Sequence, residues 1–201
     1  MSEYDMKKHY SIFSARQDNK GFTLIELLVA MAVGIIALAA FYGVFTVQNK
    51  RFSIEEQIIE IQQNARAAMD ILTREIRMAG FNPDADATSQ IITATADTFS
   101  FRTDEPGDDS TITYSFDLAD HQITRNINEG GDQPLAENIE SLAFTYYDGS
   151  GSTTATASAI RQIRIAITAR TARPDPLWPN NGGYRTYTIT SDVTPRNLLY
   201  Q

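Results

Sequence analysis

The chain of 201 residues contains no cysteine, which excludes thiol nucleophiles, thiolate-bound metal and any disulfide staple. Histidine is nearly as scarce: the two residues are His9, near the N-terminus, and His121. A histidine-based metal or acid–base site would have to be built on His121 with Asp117 and Asp120, a grouping better read as a polar turn. No glycine pattern of a phosphate-binding loop occurs, and Gly149-Ser150-Gly151-Ser152 lacks the spacing of a nucleophile elbow. The acidic stretch Asp104, Glu105, Asp108 and Asp109 lacks the alternating ligand order of an EF-hand loop and reads as a solvated turn rather than a calcium site. Basic residues are outnumbered 17 to 25, a net charge of -8, so nucleic acid is not an expected partner. These absences together predict a chain that is not an enzyme, with no cofactor and no metal. One local scarcity is more informative: from Phe22 to Val47 the sole charged residue is Glu26.

As a helix, that 26-residue stretch rises roughly 39 Å, enough to cross a hydrocarbon core of about 30 Å with some tilt. A carboxylate inside such a span is costly and is usually kept for a function. Before it, residues 1–21 are polar and of mixed charge, with Lys7, Lys8, Arg16 and Lys20 set against Glu3, Asp5 and Asp18. After Gly21 there remain 13 basic and 22 acidic residues. Basic residues ahead of the span and an acidic domain behind it place the N-terminus in the cytoplasm and the rest across the membrane, a bias that Lys50 and Arg51 weaken. A secretory signal cleaved at Ala37-Leu38-Ala39 is a rival, as is a plain uncleaved anchor. Against the signal, Glu26 interrupts the apolar region, no polar segment precedes Ala37, and the apolar run continues past Ala39.

The run Lys20-Gly21-Phe22-Thr23-Leu24-Ile25-Glu26 closely resembles the processing motif of type IV prepilins and of the pseudopilins of type II secretion. The resemblance implies a leader, residues 1–21, removed by a prepilin peptidase between Gly21 and Phe22, followed by N-methylation of Phe22. It also implies that Glu26 docks on the N-terminal amine of a neighbouring subunit. The partners it implies are the prepilin peptidase, other minor and major pilins, an inner-membrane assembly platform and the lipid bilayer. The implied location is the bacterial inner membrane, single-pass, with the head in the periplasm and eventually in a pilus fibre.

Apolar periodicity outlasts the span. Ile54, Ile58, Ile61, Ala65, Ala68, Leu72, Ile76 and Ala79 follow one another in steps of four and three, the seam of an amphipathic helix. Arg66–Asp70 and Asp70–Arg74 are expected i,i+4 pairs, and Gly80 with Pro83 gives the stop. One helix is thus predicted over 22–80, its first half, 22–47, in the bilayer. A coiled-coil dimer is the alternative for the second half. Residues 81–201 alternate in short runs separated by turns: 98–102, 111–116, 122–127, 142–147, 160–168 and 185–193. The predicted fold class is α+β: a long N-terminal helix packed on an antiparallel β-sheet head. Tyr146, Tyr147 and Tyr184 are expected to pack that sheet, and Trp178, between Pro176 and Pro179, is a candidate exposed contact.

A second resemblance covers most of the chain. Gln63–Arg66, Asp70–Leu72, Arg74–Phe81, Pro134–Glu140 with Phe144–Asp148, and Thr190–Val193 with Arg196–Leu198 are similar to minor pilins of the PilW type, themselves similar to the J pseudopilin. Where major pilins commonly place a helix-breaking proline, this chain has Gly43. Glycine permits bending but removes no hydrogen bond, so the helix is expected to kink less readily than a major subunit's. The function implied is that of a minor pilin in pilus assembly and initiation. The alternatives are a J-like minor pseudopilin and a membrane-anchored periplasmic binding domain.

Overall fold

A computed structural model describes residues 21–80, 91–105 and 108–197. Residues 1–20 of the expected leader, the predicted stop at Pro83 and the side chains of the acidic stretch 104–109 lie outside the described residues. The chain divides into two compact units, 1–48 and 49–201, and one helix, α1 (Leu24–Arg77), contributes to both.

Within the first unit, α1 is apolar on every side, and none of its most apolar stretch is buried in the chain. A helix without a polar face is at rest only in lipid or in a protein interior. This segment is long and apolar enough to cross a membrane. Within the second unit, α1 becomes one-sided. Ile61, Ala65, Ala68, Leu72, Ile76 and Ala79 of the predicted seam are buried, joined by Met69, while Ile54 and Ile58 are half-buried. The helix ends in a tightened turn, with the amides of Met78 and Ala79 donating to the carbonyls of Glu75 and Ile76. Gly80 then adopts φ 80°, a left-handed cap open to glycine at little cost, and its amide donates to Arg102 O. Neither expected i,i+4 pair closes to an ion pair. Arg66, Asp70 and Arg74 are exposed, and in water the gain of a few tenths of a kcal/mol does not hold long side chains together.

The head is antiparallel β throughout, as expected, and its strands divide into two sheets. A five-stranded antiparallel sheet runs β1 (Ile91–Ala94), β2 (Thr98–Glu105), β3 (Asp108–Asp117), β4 (Gln122–Ile127) and β5 (Gln133–Glu137), paired in chain order. A second, three-stranded antiparallel sheet follows as β6 (Ile139–Tyr147), β7 (Gln162–Arg170) and β8 (Thr186–Val193). Asn138 separates the sheets at φ 58°, a conformation that asparagine tolerates better than most residues. A single residue therefore turns the chain from one sheet edge into the next, and Ile139 N is captured by His121 O at 2.8 Å. Two strands, β1 and β5, were not expected. β1 is four residues long, and β5 carries Pro134, which sheets accept only at an edge such as this one.

The inner faces meet in one core. Phe99 lies 5.4 Å from Phe101 within the first sheet and 5.8 Å from Phe144 across to the second. Ile163, Ile165 and Ile167 are fully buried against it, as the alternation with Arg164 requires. Tyr146 reaches across to donate to Thr95 O at 2.7 Å. Burial pushes its phenol well above the usual range, with Asp97 adding to the shift.

Candidate functional site

Two carboxylates on α1 organise the two units, and only one was expected to matter. Glu26 occupies the first turn. Thr23 precedes the helix, and its Oγ1 accepts from Glu26 N at 3.3 Å. Glu26 Oε2 in turn accepts from Thr23 N at 3.2 Å and Thr23 Oγ1 at 3.1 Å. This is a reciprocal capping box, satisfying amides that the helix start would otherwise leave bare. The carboxylate also complements the positive end of the helix dipole. Among the described residues only Oε2 is engaged, and Oε1 is left for another donor. The Thr-x-x-Glu spacing was visible in the sequence, where Glu26 drew notice only as a charge in an apolar span.

Just upstream, Phe22 is 88% exposed. A Cβ placed on Gly21 would meet nothing within 4 Å, and its φ is not in the left-handed region. Packing among the described residues thus imposes no demand for glycine at position 21. Gly21 and Phe22 form an accessible non-helical dipeptide that leads into a helix start capped by Thr23 and Glu26.

The second carboxylate, Glu75, lies in the last turn of α1. Arg125 of β4 grips it bidentately, Nε to Oε2 at 3.0 Å and Nη2 to Oε1 at 2.9 Å, and the Tyr114 hydroxyl of β3 donates to Oε2. Burial pushes the Tyr114 phenol far above its ordinary value, and the adjacent Glu75 reinforces the shift. The cluster borders a cavity of about 390 Å³ whose walls include Arg74 and Leu135. With every charge paired to another within the chain, it ties helix to sheet. Sequence periodicity did not single out Glu75, because its partners lie 39 and 50 residues away.

The remaining candidates are structural. Asp117 spends its carboxylate on the turn amides of Ala119 and Asp120, and His121, at φ 52°, contributes its carbonyl to the start of β6. Among the described residues no group of three or more acidic or histidine side chains is placed to hold a metal. In the Gly149–Ser152 turn, Asp148 accepts from Ser150 Oγ and from the amides of Ser150 and Ser152, bonds that draw its carboxyl below the usual range. Trp178 is exposed as expected, yet its ring carries the Arg185 guanidinium at 4.6 Å. Arg185 also binds buried Asp175 at 2.7 Å and holds that carboxyl below its ordinary value.

With this geometry established, comparison with known proteins bears on the N-terminus. The model of the prokaryotic N-terminal methylation motif matches residues 16–42, which include Gly21, Phe22, Thr23 and Glu26. A curated relative, the pilin-like protein PilA3 of Thermus thermophilus, is 34% identical over 61 residues. That match takes in 30% of this chain and 26% of the relative, so only about a quarter of the relative's length is represented.

Proposed function

We propose that this chain, type IV pilin-like with a prepilin N-methylation motif, is a minor pilin of the PilW kind. Inserted in the inner membrane with its head in the periplasm, it is cleaved by a prepilin peptidase after Gly21 and methylated on Phe22. It is then drawn through the inner-membrane assembly platform into a fibre, where it helps initiate assembly with other minor pilins and the major pilin. The observation that carries the reading is the join at 21–26: an accessible Gly-Phe dipeptide, a capped helix start, and an apolar helix with no polar face. Glycine at 21 is then demanded by the peptidase rather than by the fold. Cleavage frees an amine on Phe22, and Glu26 retains Oε1 to meet the amine of a neighbouring subunit, giving each helix its register along the fibre. In a low-dielectric setting that attraction is strengthened, and desolvation offsets part of it.

Intact-mass analysis of membrane-extracted protein tests processing. Loss of residues 1–21 with one added methyl group is expected, and a retained leader or cleavage at Ala39 rejects it. Glu26→Leu is expected to insert normally yet to co-purify poorly with sheared fibres or partner pilins. Wild-type incorporation would reject the docking role. A J-like minor pseudopilin is the alternative, because PilW-type minor pilins are themselves similar to the J pseudopilin. A deletion strain that keeps its surface fibres but loses secreted enzymes would favour that reading.

A further inference from the structure

The two sheets have four outer edges, and three are blunted. β1 is four residues long with a bulge between Ile91 and Thr93. β5 carries Pro134 and has a register shift in mid-strand, where Leu135 is skipped between the Ala136–Ile123 and Pro134–Thr124 pairs. The outer side of β6 is occupied: Ile139 N and Phe144 N donate to His121 O and Ala96 O, and Tyr147 bridges to Thr153. β8 differs. It is eight residues long, Thr-Tyr-Thr-Ile-Thr-Ser-Asp-Val, with no proline, lysine or bulge, and its register against β7 is unbroken from Thr186 to Val193. Proteins normally guard such an edge, because a row of unpaired amides and carbonyls is complementary to another strand.

The register shows which groups are open. Thr171 N donates to Arg185 O at 2.9 Å, and alternation from that point gives Tyr187, Ile189 and Ser191 the bonds to β7. The amides and carbonyls of Thr186, Thr188, Thr190 and Asp192 therefore point outward. The Thr168–Thr188 hydroxyl contact at 3.0 Å and the bidentate Arg164–Asp192 pair fit this phase, since side chains approach more closely at non-hydrogen-bonded positions. Among the described residues no strand covers this edge.

We propose that β8 pairs antiparallel with β8 of a second copy of this chain, about a two-fold axis at Ile189. That register sets Thr188 opposite Thr190 and Thr186 opposite Asp192, and it uses all four outward residues of each strand. No like charges meet, because each Asp192 faces a threonine and keeps its own Arg164. The Thr168–Thr188 contact extends into a threonine ladder across the join, a favourable cross-strand pairing. On the core-facing side Ile189 gains the Ile189 of the second copy directly opposite, and Tyr187, also partly buried against the core, gains that copy's Ser191 opposite and Ile189 on the diagonal. Moving the axis one residue either way leaves outward groups of β8 without partners in the opposing strand. The interface is isologous, so it closes at two copies.

The absence of native cysteine makes the test direct. Full-length protein in detergent micelles is expected to sediment as a dimer, and Thr188→Lys or Thr190→Lys is expected to give monomers with an unchanged melting temperature. Ile189→Cys is expected to form an interchain disulfide under mild oxidation. Thr186→Cys is not, because the two Thr186 residues lie about 20 Å apart in this register. Should Ile189→Cys fold poorly, mixing separately purified Thr188→Cys and Thr190→Cys proteins reads the same register, cross-linking only on mixing. A monomeric wild type, a lysine variant that still dimerises, or equal cross-linking at 186 and 189 would overturn the proposal. The readout uses purified protein and does not depend on any role in a pilus.

Discussion

One helix places two carboxylates in opposite kinds of surroundings. Glu26 bonds only to Thr23, three residues away, on an exposed turn; Glu75 bonds to Tyr114 and Arg125, far off in the chain and largely buried. The flanking apolar residues repeat the contrast: Leu38 is 69% exposed and Leu72 is 0% exposed. Helicity is therefore common to both halves while its cause differs. From 49 onward the helix is held by packing of one face on two sheets. From 24 to 48 the described residues supply only local bonds, and the apolar surface requires lipid or other subunits.

The sharpest way to break this contrast is to delete the same atoms from both halves. Leu72→Ala removes a fully buried side chain and is expected to cost about 2–5 kcal/mol, through lost transfer energy and a residual cavity. Leu38→Ala is expected to leave head stability within about 0.5 kcal/mol of wild type. Chemical denaturation in detergent, followed through Trp178, measures both. Equal losses would mean that the first half packs on the chain after all.

The carboxylates give the next effect. Glu75→Gln keeps the shape but weakens three charge-assisted contacts, and a loss of about 1.5–3 kcal/mol is expected. Tyr114 adds a pH signature. Its folded pKa is raised above the ordinary value of 10.0, so its contribution is fully present below about pH 10 and is lost as pH rises beyond it. Tyr146 acts in the same direction. Tyr114→Phe is therefore expected to flatten the alkaline decline in the urea midpoint between pH 9 and 11 while leaving the slope from Tyr146. An unchanged slope would mean that Tyr114 is not shielded from water by the helix.

What the sequence disclosed follows the same division between local and distant causes. The capping residues, the helical seam, the stop at Gly80 and strand β4 rest on neighbours a few positions apart, and all were in view there, although Thr23 and Glu26 were not read as a cap. The alternating runs around Phe99, Tyr114, Phe144 and Ile165 were also legible, since a half-buried strand repeats every two residues. β5 was not, because Pro134 argues against a strand until its edge position is known. Nor was the division into two sheets, which turns on the left-handed Asn138. Glu75 carries no sequence signal as an anchor, since its partners are set by strand register. At the join the residues were legible, whereas the spare oxygen of Glu26 is visible only in the geometry.

The smallest expected effect probes the local half of the comparison. The first half of α1 contains Gly34 and Gly43, and a Cβ on either would meet nothing within 4 Å. Between Asn49 and Arg77, where the helix is packed, there is no glycine at all. Glycine in a helix costs about 0.8–1.0 kcal/mol against alanine, so the unpacked half carries a penalty that its own chain does not require. Two explanations compete: glycine admits the close approach of another helix, or it preserves local bending. Gly43→Ala distinguishes them in two steps. In micelles the substitution is expected to slow amide exchange around residue 43 by roughly fivefold, the equivalent of about 1 kcal/mol, with no change in the melting of the head. If incorporation into fibres then falls, close approach is the reason. If incorporation holds but extraction from the membrane slows, bending is. Exchange rates unaltered by alanine would mean that the helix at Gly43 is not governed by local propensity, and the proposed difference between the two halves would fail at that point.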